Sequence, residues 1–78
     1  MTEDKTTHDT YRKLKYFYDN KTLVHFKDFN NVFYNGEILD LDEKHLTLVL
    51  NERRKGEMPI LLEHINPNSI FKFKEFSA

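Results

Sequence analysis

At Asn20 the hydrophobic period of this chain changes, and the change limits the folds open to it. Before that point Tyr11, Leu14, Phe17 and Tyr18 recur three or four residues apart, which is the stripe of an amphipathic helix. After it the apolar side chains alternate, as half-buried strands require. A helix is therefore expected over 7–20, with Thr6 or Thr7 capping its start and Asn20 at its end, and residues 1–6 are read as frayed and disordered. Arg12, Lys13 and Lys15 fall on the helix's polar side.

The alternating region divides into five short strands. In TLVHFKDF, Val24 and Phe26 share one face while His25 and Lys27 share the other, and Asn30 with Asn31 marks a tight turn. The run VFYNGEILDLD begins with Val32 and Tyr34 on one face and ends with Leu39 and Leu41 on the opposite parity. That slip of phase calls for a bulge or bend, expected at Gly36. HLTLVLNE follows, with Leu46, Leu48 and Leu50 in phase, and RRKGE turns the chain with Gly56 as its left-handed residue. MPILLEHI reads as a fourth strand with Pro59 near its start, NPNS as a turn, and IFKFKEF as a fifth strand. The whole is expected to be one mostly β domain over 1–78: an N-terminal α-helix, then a strongly bent five-stranded antiparallel sheet forming a small barrel over 22–76.

A chain of 78 residues buries only about 60% of its unfolded surface. Without cysteine it has neither disulfide nor thiolate metal site to add stability, so pairing with other copies is the natural supplement. A net charge of -1 produces no global field for nucleic acid or anionic membrane, and any such site must be local. No apolar run reaches the roughly 18 residues of a membrane span, and the polar MTEDKTTHDT is unlike a signal peptide, so a cytoplasmic protein is expected. The single alanine, Ala78, among many Asn, Phe and Lys is a bias that AT-rich codons produce, as in some bacterial, archaeal or viral genomes.

His8, His25, His45 and His64 show no pairing at ligand spacing, no nucleophile stands in a glycine-framed elbow, and two glycines make no phosphate-cradling loop. No metal, no cofactor, no small-molecule substrate and no enzymatic activity are expected. Arg53, Arg54 and Lys55 form a basic turn able to contact phosphates, although Glu52 and Glu57 offset it. Phe33, Tyr34, Tyr16 and Phe17 could stack on bases, but their periods suit core or subunit contacts better.

The segment FYNGEILDLDEKHLTLVL resembles the first motif of the Sm-like family, which includes the bacterial Hfq proteins: a glycine in a bent second strand, Asp42 at that strand's end, a short loop, and an apolar third strand. The resemblance spans Tyr11 to Phe73. Where the family carries an Asn after the loop, this chain has His45, Leu46 and Thr47; the Arg-Gly pair of some members is absent; and Glu63-His64 stands where Hfq-type members have Lys-His. The resemblance implies a homo-oligomeric ring of about five to seven copies, closed by the fourth strand of one copy pairing with the fifth of the next. Ile60, Leu61, Leu62, Ile70, Phe71 and Phe73 are the corresponding interface candidates. It also implies binding of single-stranded, A/U-rich RNA, with Lys44, His45, His64, Asn66 and Asn68 as candidate contacts and Arg53, Arg54 and Lys55 beside them. The alternative is an SH3-like scaffold that binds protein and no nucleic acid, which the acidic run from Asp40 to Glu43 favours.

Overall fold

Helix α1 (Thr2–Asp19) lies on a sheet built from β1 (Val24–Lys27), β2 (Phe33–Asp42), β3 (Thr47–Glu52), β4 (Gly56–Leu61) and β5 (Phe71–Lys72). The computed structural model describes residues 2–72, with side chains from Thr7 onward. All pairings are antiparallel and the order is β4-β3-β2-β1-β5, so β4 and β5 form the two edges. Among the described residues no helix is long and apolar enough to cross a membrane.

The helical stripe meets the inner face of the sheet as its period requires. Leu14 is fully buried, with Tyr11, Phe17 and Tyr18 packed partly against the core, and Thr7 and Thr10 complete the same face. The helix begins at Thr2, five residues before the expected start. Once a first turn exists each added residue gains a hydrogen bond, so extension needs no apolar signal that a periodicity reading could detect. At the other end Lys21 adopts a left-handed φ of 52°, and Thr22 N–H donates to the Phe17 carbonyl at 3.0 Å, stopping the helix at Asn20.

Val24 and Phe26 of β1, Ile38 of β2, Leu48 and Leu50 of β3 and Ile60 of β4 supply the sheet's half of the core. The bulge in β2 lies at Leu39, between the pairs Ile38–Leu50 and Asp40–Val49, and not at Gly36. Leu39 is the extra residue and is exposed, and Leu41 beyond it packs against the core on the new parity. Gly36 answers a different demand: a Cβ there would stand 2.1 Å from the Asn51 carbonyl oxygen, so the strands approach too closely for any side chain. Gly56 takes the left-handed conformation expected of it, with φ 80°.

The fourth strand ends at Leu61, and Leu62–His64 is a 3-10 turn where a strand was expected to continue. The turn rolls Leu62 into the core, where it is fully buried, and Ile65 follows it. Leu62 N–H donates to the Leu46 carbonyl in line with β4, whereas Ile65 bridges Asp28 on the outer side of β1. In a flat sheet those positions are four strand spacings apart, roughly 19 Å. Three residues of 3-10 helix rise only about 6 Å. The sheet is therefore strongly curved, bringing its edges together at this end, although among the described residues β4 and β5 are not paired with each other. The fifth strand is described through Lys72; the rest of its expected length, with Phe73, lies outside the described residues.

Gly36→Ala forces the β2–β3 backbones apart and is expected to cost about 2–3 kcal/mol. For a domain of this size that lowers the thermal midpoint by roughly 10–20 °C. A calorimetric midpoint within a few degrees of wild type would show that the close approach to Asn51 does not constrain the sheet.

Candidate nucleic-acid interface

The expected contacts sit on four turns, two of which are organised by a carboxylate, Asp42 in one and Glu52 in the other. In the β2–β3 turn Asp42 accepts the His45 backbone N–H at 3.1 Å and lies 2.7 Å from His45 Nδ1. These bonds, the imidazole first, hold the Asp42 carboxyl below its ordinary pKa. Lys44 and the His45 ring are exposed beside it. The Leu62–Leu46 hydrogen bond brings the 3-10 turn of His64 alongside. His64 Nε2, however, lies 3.8 Å from Glu63, and its ring faces a depression lined by Asp28, Phe29 and Asn30. Each histidine is thus accompanied by a carboxylate, which opposes a phosphate.

The basic turn is built on Glu52, a carboxylate only 5% exposed. It accepts the N–H groups of Arg54 at 2.8 Å, Lys55 at 3.0 Å and, from β2, Asn35 at 3.0 Å. Burial is the largest single influence and raises its pKa, but the three N–H groups and the Lys55 charge together hold it below the ordinary value. Lys55 Nζ sits 5.4 Å from the Tyr34 ring centroid, so its ammonium is turned back over the protein. Asp28 performs the same service in the β1–β2 turn, accepting Asn30 N–H at 2.8 Å, Val32 N–H at 3.0 Å and the Tyr34 hydroxyl at 3.2 Å.

A different surface gathers aromatic, cationic and amide groups and, among the described residues, no carboxylate. The registers His25–Asn35, Lys27–Phe33 and His25–Phe71 set these side chains on the outer face of β1, β2 and β5, opposite Val24 and Phe26. The His25 and Phe33 rings stack with centroids 5.4 Å apart and planes at 19°, and Lys27 Nζ lies 5.9 Å from the Phe33 centroid. His25 Nδ1 is 2.5 Å from Asn35 Oδ1; an imidazole protonated there donates to the amide and keeps Nε2 as an acceptor. Ser69 Oγ accepts the Lys27 N–H at 3.0 Å while its hydroxyl donates to the Asn66 carbonyl at 2.6 Å, and Asn66 N–H donates to the Lys27 carbonyl at 3.0 Å, fixing the second 3-10 turn (Pro67–Ser69) against β1. The result is a depression of about 310 Å³ lined by His25, Lys27, Phe33, Asn66, Asn68, Ser69 and Phe71. Phe33 and Phe71 are 55% and 60% exposed, an unusual state for phenylalanine.

Asn66 and Asn68 are the expected contacts that belong to this surface; Lys44, His45, His64 and the Arg53–Lys55 turn do not line it. His25 and Lys27 are not contacts that the sequence marks, and Phe33, one of the aromatics whose period suits core or subunit contacts better than stacking, is exposed here. The outward parity of His25 and Lys27 was a usable signal, but their convergence with Phe33 and Phe71 depends on strand register. Of the other aromatics, Tyr16 is exposed, whereas Tyr34 and Phe17 pack on the core. Of the interface candidates, Leu61 and Phe71 are exposed on the two edge strands. Ile60 and Leu62 are buried in the chain's own core and Ile70 packs against it, because strand alternation and the 3-10 turn point them inward. Among the described residues no group of three or more His, Cys, Asp or Glu side chains is placed to hold a metal ion.

Comparison with protein-family models, with curated proteins and with solved structures finds no match for this chain.

Because Glu52 has a lowered pKa in the fold, its contribution is present above the unfolded value of about 4.5 and is lost as pH falls through the folded value. Glu52→Gln is expected to lower stability at about pH 7 by roughly 1–3 kcal/mol. At a pH low enough to protonate the wild-type carboxyl, the gap should narrow. Urea unfolding at the two pH values tests this, and an equal gap at both would remove the ionised carboxylate from the explanation.

Proposed function

We propose that this protein is a non-enzymatic, Sm-like binding module that holds single-stranded, A/U-rich RNA on the outer face of β1, β2 and β5 and acts in the cytoplasm as a closed homo-oligomeric ring. One observation carries the RNA reading: the stacked His25–Phe33 pair, with Lys27 beside it and Phe71 across the β1–β5 pairing, lines a depression that has no carboxylate among the described residues. Every base has a flat face that such rings accept, at about 1–3 kcal/mol per stacked base, while Lys27 answers a phosphate. The amides of Asn66 and Asn68 and the imidazole Nε2 offer donors and acceptors to base edges.

The ring reading is supported by the strand order. β4 and β5, the two strands the Sm-like resemblance pairs between neighbours, are the two free edges here, and each carries an exposed apolar residue, Leu61 and Phe71. Pairing them between copies satisfies both edges at once and covers those side chains. A ring also repeats one modest contact along the RNA, so avidity raises affinity without a strong individual site. The scaffold reading retains one supporting observation, the carboxylates Asp42 and Glu63 beside His45 and His64.

Light scattering combined with fluorescence anisotropy of a labelled A/U-rich RNA at low salt tests the proposal. A multi-subunit mass with RNA binding is expected, and His25→Ala combined with Phe33→Ala should weaken binding about 10- to 100-fold through lost stacking. A monomer that binds no RNA but retains a protein partner at fixed stoichiometry would transfer the assignment to the scaffold. Binding lost instead on combining His45→Ala with His64→Ala would move the RNA to the turns.

A further inference from the structure

Asn35 stands behind the aromatic surface and is not among the residues that line its depression. Both of its backbone groups are bonded on the β3 side: its N–H donates to Glu52 Oε2 at 3.0 Å and its carbonyl accepts the Arg53 N–H at 2.9 Å. Gly36, the next residue, passes so close to the Asn51 carbonyl that the course of β2 is fixed at this point. The half-buried Asn35 amide therefore meets His25 from an anchored backbone, along the His25–Asn35 register.

The His25 ring is held in two independent ways. Its stack on Phe33, with planes at 19°, sets the plane of the imidazole. The contact of Nδ1 with Asn35 Oδ1 at 2.5 Å sets which edge of the ring faces β2. An amide oxygen only accepts, so the nitrogen that meets it carries a proton. In a neutral imidazole the other nitrogen then has none, because the hydrogen bond at one nitrogen decides the state of its partner. An unrestrained neutral histidine in water favours the opposite form, with the proton on Nε2. Among the described residues no hydrogen bond involves Nε2, which is left as an acceptor on a ring that lines the depression.

That state decides what the ring can recognise. A lone pair at Nε2 repels phosphate and carbonyl oxygens and accepts from N–H; on the edges of adenine and uracil the matching groups are the adenine amino group and the uracil N3–H. We propose that Asn35 is the positioning residue that sets His25 as a hydrogen-bond acceptor, so that this surface selects a base edge presenting an N–H donor. This rests on the single-strand reading given above and adds to it a specificity determinant that does not itself touch the RNA.

Nitrogen-15 NMR of the imidazoles in the full-length protein, at about pH 8.5 where histidine side chains are generally neutral, reads the tautomer without RNA. His25, assigned by the signals lost in His25→Gln, should show the Nδ1–H form. Asn35→Asp, which keeps an acceptor oxygen, should retain a proton on Nδ1, whereas Asn35→Leu should revert to Nε2–H. Anisotropy then compares labelled oligoadenylate and oligouridylate with counterparts built from purine riboside and 3-methyluridine, which lack the donor. Wild type should lose about 3- to 10-fold in affinity when the donor is removed, and Asn35→Leu should show little of that difference. A wild-type His25 in the Nε2–H form overturns the proposal, as does equal binding of the two members of each pair. If wild type binds none of the four, the single-strand reading fails and the base readout with it, while the spectrum still reports whether Asn35 positions the ring. Should Asn35→Leu not fold, the wild-type spectrum and the paired oligonucleotides decide the question by themselves.

Discussion

The turn of three residues at Leu62–His64 is the constraint on which the rest of the structure depends. It carries the chain from the β4 edge to the outer side of β1 in a step that a flat sheet could not permit, and so obliges the sheet to curl. Curling encloses Phe26, Leu48, Leu50 and Leu62 around Leu14 of the helix, a core that a flat layer and one helix would leave half open. The close passage of Gly36 past Asn51 and the bulge at Leu39 are the local means by which β2 follows the curve. The same step delivers Asn66 to the Lys27 carbonyl and Ser69 to the Lys27 backbone, which builds one wall of the outer depression. Core and surface thus share a cause.

The acidic residues are distributed in a way that gives the surface its character. Asp28, Asp42 and Glu52 each spend their oxygens on backbone N–H groups of the turn they begin, the local bonding that makes Asp and Glu useful where a chain reverses. All three have lowered pKa values for that reason: Asp28 through its bonds from Val32 and Asn30, Asp42 through His45, and Glu52 through its three N–H partners against the opposing effect of burial. A carboxylate thus stands at the start of each of these turns, the basic Arg53–Lys55 turn included. The outer face of β1 and β5, whose wall is made by Ser69 and two asparagines, presents no carboxylate in its depression among the described residues.

Periodicity alone determined a good deal of this molecule. The spacing of Tyr11, Leu14, Phe17 and Tyr18 defined the helix's buried face, the parity of Val24 and Phe26 and of Leu48 and Leu50 defined inward sides of strands, and the order of one helix before five strands set the fold class. These are properties of neighbours in sequence, where alternation or a three-to-four spacing leaves one geometric solution. Tertiary contacts decided the rest. The parity slip announced a distortion in β2, but only pairing with β3 could put it at Leu39; the apolar run through Leu62 read as strand until the need to reach β1 turned it into a 3-10 step. Likewise the sequence put His25 and Lys27 on one strand, Phe33 on the next and Phe71 on the fifth, with nothing to join them. Register between β1, β2 and β5 made them one surface, because partners ten or forty-six positions apart in the chain become neighbours only when hydrogen-bonded strands align them.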